Sequence, residues 1–281
     1  MSELVIGSRG SKLALWQANH IAAKLAALGH STRIEIIQTT GDKITDVALS
    51  KVGTKGLFTK EIEEALLAGS IDLAVHSAKD MPTELPAGLV LSAFPEREDP
   101  RDAMIGSTLE ALPHGAIVGT SSLRRTAQLR GKRQDLVIND LRGNVDTRLR
   151  KQAEGQYAAI VLAAAGLTRL GWQDRITEYL DPEVFIPAVG QGALAIETRD
   201  DGGAGHQAAA QLDDATTRTR VTAERAALAR LSGGSIGAAL TLATGDGAAL
   251  AGEADRLIEN ARSPDLIALL DLGERLWRIR D

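Results

Sequence analysis

Three short loops combine hydroxyl groups with arginines, a combination suited to binding carboxylates or phosphates. Each loop directly follows a short apolar segment, and the three loops are residues 8–11, 119–125 and 141–148. Backbone N–H groups at a helix N-terminus favour anions, and arginine binds carboxylates through two parallel hydrogen bonds. Together the loops predict a site for a polyanionic ligand.

Each loop also has a simpler interpretation. Ser11 in the first loop is also suited to capping the helix that follows. Arg124 and Arg125 fall in the first turn of a predicted helix, where an exposed cation costs about 0.3–1 kcal/mol. That cost favours a bound anion, and two exposed arginines that tolerate it are the alternative. Arg142 and Arg148 indicate an anion site only in combination with the other loops.

One carboxylate is well placed to act on such a ligand. Asp80 closely follows an apolar segment predicted to be a buried strand, and Pro82 keeps Met81 out of the helical region. A carboxylate near arginines stays ionised. It can then stabilise a cationic intermediate or shuttle a proton. An aspartate that only caps or closes a turn is the alternative.

A basic loop over residues 51–58 contains two glycines and two lysines. This composition predicts a mobile lid, with an ordinary surface loop as the alternative. The spacing differs from that of a phosphate-binding P-loop.

Composition excludes several kinds of chemistry. The 281 residues contain no cysteine, which excludes disulfides, thiolate metal sites and cysteine nucleophiles, and the five histidines are scattered, so we expect no metal. The net charge of −5 argues against non-specific nucleic-acid binding. No apolar run reaches the roughly 20 residues of a membrane span, and the first residues lack a signal-peptide pattern. We expect a cytoplasmic protein without membrane or nucleic-acid partners.

Strands and helices alternate along the first 162 residues, and the pattern restarts near residue 116. The predicted strands are residues 4–7, 33–38, 71–75, 89–93, 116–119, 136–139 and 158–162. The predicted helices are residues 12–28, 58–68, 122–129, 144–153 and, later, 217–231. Such alternation predicts α/β lobes built on parallel sheets.

Two segments read as crossings between the lobes, residues 94–102 and 186–193. We therefore expect two lobes with ligand bound in the cleft between them, at the strand C-termini. The predicted domains are residues 1–94 with 193–212, residues 98–187, and a small α+β domain over residues 213–281. The last domain includes a hairpin through residues 244–247 and a helix near residues 264–277.

Eight segments, in order, resemble the porphobilinogen deaminase family. They are SRGSKLALWQA, KVGTKGLFTKEIE, DLAVHSAKDMP, EREDPRDA, IVGTSSLRR, LRGNVDTRL, PAVGQGA and RVTAER, spread over about residues 6–231. The resemblance implies a monomeric transferase of haem and tetrapyrrole biosynthesis, hydroxymethylbilane synthase. It joins four porphobilinogen molecules head to tail and releases ammonia. It also implies two lobes like type II periplasmic binding proteins, joined by a double crossover, and a dipyrromethane cofactor bound through a cysteine of the third domain.

The resemblance assigns roles to individual residues. It makes Asp80 the catalytic carboxylate and places Phe58 near the cleft. The implied substrate- and cofactor-binding residues are Arg9, Ser11, Gln17, Lys55, Lys79, Thr120, Ser122, Arg124, Arg125, Arg142, Arg148, Arg169 and Gln191. Each pyrrole carries an acetate and a propionate, so these cations suit a growing oligopyrrole.

The sequence departs from the family at the cofactor loop. Where the family reads like GGCQVPIG, this chain has GGSIG, so Ser235 replaces the cysteine and the loop is three residues shorter. A hydroxyl ionises far less readily than a thiol, which makes covalent attachment doubtful. An engineered or reconstructed variant, a natural homologue that binds the cofactor non-covalently, and an inactive relic are all compatible with this loop. The alternative function is a non-catalytic or impaired protein that binds oligopyrroles or other polycarboxylates.

Overall fold

The structure is a computed structural model that describes residues 3–43 and 59–232. The strands are β1 (Leu4–Ser8), β2 (Thr32–Ile36), β3 (Leu73–Ser77), β4 (Leu89–Ala93), β5 (Asp102–Ile105), β6 (Ile117–Gly119), β7 (Val137–Asn139), β8 (Ala159–Ala163), β9 (Glu178–Tyr179) and β10 (Leu194–Arg199). The helices are α1 (Lys12–Ala27), α2 (Thr40–Lys43), α3 (Lys60–Leu67), α4 (Leu123–Lys132), α5 (Val145–Ala153), α6 (Ala164–Arg169), α7 (Ala204–Ala210) and α8 (Ala215–Ser232). Short 3-10 turns span Ala78–Asp80 and Gln173–Arg175.

The first sheet has the strand order β2-β1-β3-β10-β4, and with its helices we call it lobe 1. Strand β1 pairs in parallel with β2 and β3, whereas β10 runs antiparallel to β3 and β4. Helix α1 lies on the sheet because Ala18, Ile21 and Leu25 recur at helical spacing on one face and are fully buried. They join Ile6 and Leu73 of the sheet in one apolar core.

The second sheet has the order β7-β6-β8-β5-β9, and with its helices it forms lobe 2. Strand β6 pairs in parallel with β7 and β8, and β5 runs antiparallel to β8 and β9. Strand β8 is apolar along its length because helices and loops cover both of its faces, as expected for an inner strand of such a sheet. Strand for strand, this order is the same as that of lobe 1.

Each sheet receives one antiparallel strand from the crossing segments. Strand β5 follows the first crossing and β10 follows the second, so each enters its sheet from the opposite lobe. The expectation of purely parallel sheets is therefore wrong for these two strands. It is also wrong to end the first crossing at Asp102, because Asp102 already begins β5. The strand order confirms two type II lobes joined by a double crossover.

The two crossing segments touch each other closely. Gly192 has a φ of +86°, and a Cβ there would lie 2.3 Å from the Glu98 carbonyl oxygen. The Glu98 backbone N–H donates to the Gly192 carbonyl at 3.1 Å. Gly190, with a φ of +69°, lies against the Ala78 turn, where a Cβ would be 3.1 Å from the Ala78 Cβ. Only glycine fits both positions without strain.

The expected elements within the described ranges are present, with ends that shift by at most three residues. Helix α8 belongs to a separate unit, residues 214–281, and confirms the predicted helix 217–231. Asp214 caps it by accepting a hydrogen bond from the Thr217 N–H at 2.7 Å. The predicted hairpin 244–247 and helix 264–277 lie outside the described residues.

No helix within residues 3–43 and 59–232 has both the length and the apolar composition needed to cross a membrane.

Candidate active site

The loop before α4 uses its hydroxyl groups to form the helix N-terminus. The Thr120 Oγ1 accepts a hydrogen bond from the Ser122 N–H at 3.2 Å, and the Ser122 Oγ accepts one from the Arg125 N–H at 3.4 Å. Thr120 is buried and Ser122 is half-buried. These contacts hold Arg124 and Arg125 in the first turn, as the sequence predicted.

A buried carboxylate, Asp102, lies between these two arginines. Its Oδ1 accepts from the Arg125 Nε at 3.1 Å and Nη2 at 2.8 Å, and its Oδ2 lies 2.7 Å from the Arg124 Nη1. Burial alone would raise the pKa of Asp102, but the charges and hydrogen bonds of Arg125 and Arg124 hold it well below its usual range. The alternative of two exposed arginines is wrong, because Arg125 is buried and Arg124 nearly so.

Lys79 and Asp80 lie opposite, in the 3-10 turn that follows β3. Met81 ends the turn with an extended backbone (φ −77°, ψ 135°), which confirms the effect expected from Pro82. Both side chains reach solvent. Desolvation by the surrounding protein, followed by repulsion from Arg125, nevertheless lowers the pKa of Lys79 to about 8. The charge of Asp80 raises this pKa and offsets part of the shift. Lys79 is therefore a cation near neutral pH that releases its proton easily.

A cavity of about 100 Å³ opens between the lobes. Leu13, Ser77 and Lys79 line it from lobe 1, and Arg125 and Arg148 line it from lobe 2. Arg169 lines it as well, so that four cations face the cavity and none of the described residues that line it is acidic. Such a lining is costly in the free protein and becomes favourable when a ligand brings carboxylates.

Burial is the main cause of the lowered pKa values of the two other arginines that line the cavity. Burial, followed by repulsion from Arg125, lowers the pKa of Arg148 to about 10. Burial also lowers the pKa of Arg169 to about 10, against the attraction of Glu98. Backbone carbonyls orient both side chains: the Arg148 Nε donates to Gly143 at 2.7 Å and the Arg169 Nη2 donates to Gly192 at 2.6 Å. Anionic ligands would reverse these pKa shifts.

Two predicted binding residues, Gln17 and Gln191, are buried. The Gln17 Nε2 donates to the Ser77 Oγ at 3.1 Å, which ties α1 to the end of β3. The Gln191 Oε1 accepts from the Lys79 Nζ at 3.3 Å. Both amides contact residues that line the cavity rather than line it themselves.

The other predicted residues lie further from the cavity or outside the described part of the chain. Ser11 caps α1, because its Oγ accepts from the Ala14 N–H at 3.2 Å, so the capping interpretation is confirmed. Arg9 and Arg142 are half-buried in their predicted loops but do not line the cavity. The remaining three residues fall outside the described ranges; they are Lys55, Phe58 and Ser235.

Fold and site together define a class: a two-lobed α/β protein with a cationic cleft. Comparisons with known proteins then identify the family. The family model described as "Porphobilinogen deaminase, dipyromethane cofactor binding domain" matches residues 4–206. A porphobilinogen deaminase of Syntrophobacter fumaroxidans is 55% identical over 82% of this chain and 76% of its own length. One of Nitratidesulfovibrio vulgaris is 58% identical over 83% and 76%. This chain belongs to the porphobilinogen deaminase family.

Solved structures resemble the chain more distantly. A Bordetella pertussis extracytoplasmic solute receptor that binds pyroglutamic acid matches with a TM-score of 0.43 and 13% identity, over 82% of this chain and 85% of the receptor. The fold assignment rests on the strand order of the two sheets.

Proposed function

We propose that this chain is a hydroxymethylbilane synthase that condenses four porphobilinogen molecules head to tail and releases ammonia. The observation that carries the proposal is the cavity in which lobe 2 arginines and Lys79 gather around a carboxylate-sized space. Porphobilinogen brings an acetate and a propionate to that space. We propose that Arg124, Arg125, Arg148 and Arg169 bind these carboxylates, with support from Arg9 and Arg142.

Asp80 is the catalytic group in this proposal. When the C–N bond of the protonated aminomethyl group breaks, ammonia leaves with the bonding electrons and the pyrrole becomes a cationic azafulvenium. The Asp80 carboxylate stabilises that positive charge. The free α-carbon of the terminal pyrrole of the growing chain then attacks the methylene carbon of the azafulvenium. The new C–C bond forms, and the proton displaced from the α-carbon passes to solvent. Asp80 does not line the cavity itself, but it directly follows Lys79, which does, and its charge offsets part of the lowering of the Lys79 and Arg148 pKa values. These observations support a position for Asp80 beside the cavity.

The charges that line the cavity suit the dipyrromethane cofactor, but the sequence does not allow the family's mode of attachment. Its four carboxylates suit the four cations that line the cavity. A thioether cannot form, because the sequence contains no cysteine. When bound, dipyrromethane supplies the pyrrole α-carbon at which elongation starts. We propose that ion pairs hold it in this chain.

Mass spectrometry tests this mode of binding. Under native conditions, protein incubated with porphobilinogen should carry oligopyrrole, and under denaturing conditions it should return to the mass of the bare chain. An oligopyrrole that survives denaturation would show a covalent bond elsewhere and overturn the proposal. A chain that binds porphobilinogen but releases no ammonia would instead fit the alternative, a non-catalytic polycarboxylate-binding protein.

We also propose the domain bounds and the surroundings in which the chain works. Residues 1–94 with 193–212 would form lobe 1, residues 98–187 lobe 2, and residues 213–281 a third domain. The membership of β10 in the first sheet and of β5–β9 in the second supports these lobe bounds. We propose a cytoplasmic monomer with a small-molecule substrate and no membrane partner, and the net charge of −5 argues against a nucleic-acid partner. Light scattering after size exclusion tests the monomer.

A further inference from the structure

A continuous series of polar contacts passes through the point where the two crossing segments meet. Gln191 lies in the second crossing, and its Nε2 donates to the Asp102 Oδ1 at 2.8 Å and to the Pro100 carbonyl at 2.7 Å. Its Oε1 accepts from the Lys79 Nζ at 3.3 Å. Asp102 in turn holds Arg124 and Arg125. The contacts thus connect the Lys79 turn of lobe 1 with the arginine pair of lobe 2.

This connection is built into the protein interior. Asp102 is 0% exposed and Gln191 is 1% exposed, so neither is available to touch a ligand in this arrangement. The Arg97 Nε donates to the Gln191 carbonyl at 2.9 Å, which fixes the backbone of the second crossing. Three hydrogen bonds to Oδ1 and the ion pair between Oδ2 and Arg124 compensate the buried charge of Asp102.

Asp102 orients Arg125 without using up its hydrogen-bonding capacity. A guanidinium has five N–H groups. Asp102 accepts from the Nε and from one Nη2 N–H, and the Val161 carbonyl accepts from the Nη1 at 3.1 Å. Two N–H groups remain, and Arg125 lines the cavity. The carboxylate therefore determines which edge of the guanidinium faces a ligand.

We propose that Asp102 and Gln191 are positioning residues that couple the Lys79 side of the cleft to the arginine pair and aim Arg125 at the substrate carboxylates. The proposal rests on the proposed function for the identity of the ligand. It contrasts with simple competition, in which Asp102 occupies the arginines until a substrate carboxylate displaces it.

Substitution of Asp102 separates positioning from competition. Asp102→Asn keeps the size of the side chain but loses the charge that holds two guanidinium groups. If Asp102 positions Arg125, calorimetry should show porphobilinogen binding weakened by about 10–100-fold, the range expected for a lost charge-assisted hydrogen bond. Tighter or unchanged binding would support competition and overturn the proposal. Asp102→Glu, which keeps the charge, should recover part of the affinity.

Asp99→Asn is the matched control. Asp99 lies in the same crossing segment, but it pairs with the partly exposed Arg101 at 2.7 Å and does not line the cavity. This substitution should leave porphobilinogen binding unchanged. An equal loss in both variants would show that any disturbance of the crossing segment suffices, and would contradict a specific role for Asp102.

A second readout needs no ligand and no turnover. The negative charge of Asp102 raises the pKa of Lys79, so Asp102→Asn should lower it further below about 8. Reductive ¹³C-methylation and NMR measure this titration, with Lys79→Gln identifying the signal. Gln191→Met should also move the Lys79 titration, because the hydrogen bond between them is lost. An unchanged titration in both variants would refute the coupling, even if the parent chain failed to bind porphobilinogen and the proposed function itself were wrong.

Discussion

The two lobes have the same strand order but contribute different chemistry to the cleft. In lobe 1, β3 runs directly into the turn that holds Lys79 and Asp80. In lobe 2, the equivalent strand β8 runs into α6, whose first charged residue is Arg169 in its last turn. The proposed catalytic acid thus comes from lobe 1, whereas the three arginines that line the cavity come from lobe 2. The comparison shows that the two sheets provide the same framework. The residues that follow each strand determine which functional groups each lobe contributes to the cleft.

The division predicts that loss of the lobe 1 acid changes turnover and that loss of a lobe 2 arginine changes binding. The largest effect should follow Asp80→Ala, which we expect to lower kcat by about 10²–10⁴-fold, since the developing positive charge loses its carboxylate. The melting temperature should stay the same because Asp80 is exposed. Ammonia release and calorimetry measure the two quantities. Asp174→Ala, an exposed aspartate of lobe 2, is the control and should keep full activity.

Arg148→Ala should act on binding instead. We expect KM for porphobilinogen to rise by about 10–100-fold with a smaller change in kcat, because a charge-assisted contact to a carboxylate is lost. Steady-state kinetics measure the split between the two constants. Arg150→Ala lies on the same helix but pairs with Glu154 on the exposed side, and it should change neither constant. If Arg148→Ala lowered kcat as much as Asp80→Ala does, the proposed difference between the two lobes would be contradicted.

The pH dependence of porphobilinogen binding tests the role of Lys79. Its pKa is lowered to about 8, so the side chain is charged below that pH and neutral above it. Ligand carboxylates favour the charged form, so porphobilinogen affinity should fall by up to about tenfold per pH unit above pH 8. Calorimetry across pH 7–9 measures the decline. Lys79→Arg, which stays charged, should flatten the curve, and a parent curve that is already flat would contradict the assignment.

The smallest effect should follow disruption of the surface contact between the lobes. Lys12 of α1 and Asp146 of α5 lie 3.5 Å apart, and both are exposed. Asp146→Asn should therefore change the free energy of unfolding by less than about 1 kcal/mol, as for most surface ion pairs. Chemical denaturation measures this value. A loss of several kcal/mol would mean that the lobes depend on this pair far more than its exposure indicates.

Much of the frame could be read from the sequence, because apolar periodicity and loop chemistry are local signals. The Ser11 cap and the extended Met81 follow from neighbouring residues, and the structure confirms them. Strands β5 and β10 were not predicted, because each follows a crossing segment whose glycines, prolines and charges resemble a loop. Their antiparallel pairing depends on the opposite lobe, and no local pattern records it.

The role of Asp102 in the site was not predicted, for a related reason. It lies more than 20 residues before Arg124 and Arg125, in a charged segment that resembles a solvated loop. Only the fold brings β5 beside α4 and buries the carboxylate. The signal that was available is the pair of adjacent arginines at a helix N-terminus. This pair favours a nearby anion but does not show whether the ligand or the protein supplies it. The structure indicates that Asp102 supplies one negative charge for the two arginines.

Ammonia release by the purified chain tests the central claim most directly. If Asp80 of lobe 1 and the arginines of lobe 2 form a working site without a cysteine, one ammonia molecule should appear for each porphobilinogen consumed. The product should cyclise to uroporphyrin I, and Asp80→Ala should lower the rate at which both signals appear by about 10²–10⁴-fold. Porphobilinogen that binds the chain and is recovered intact, with no ammonia, would contradict the account.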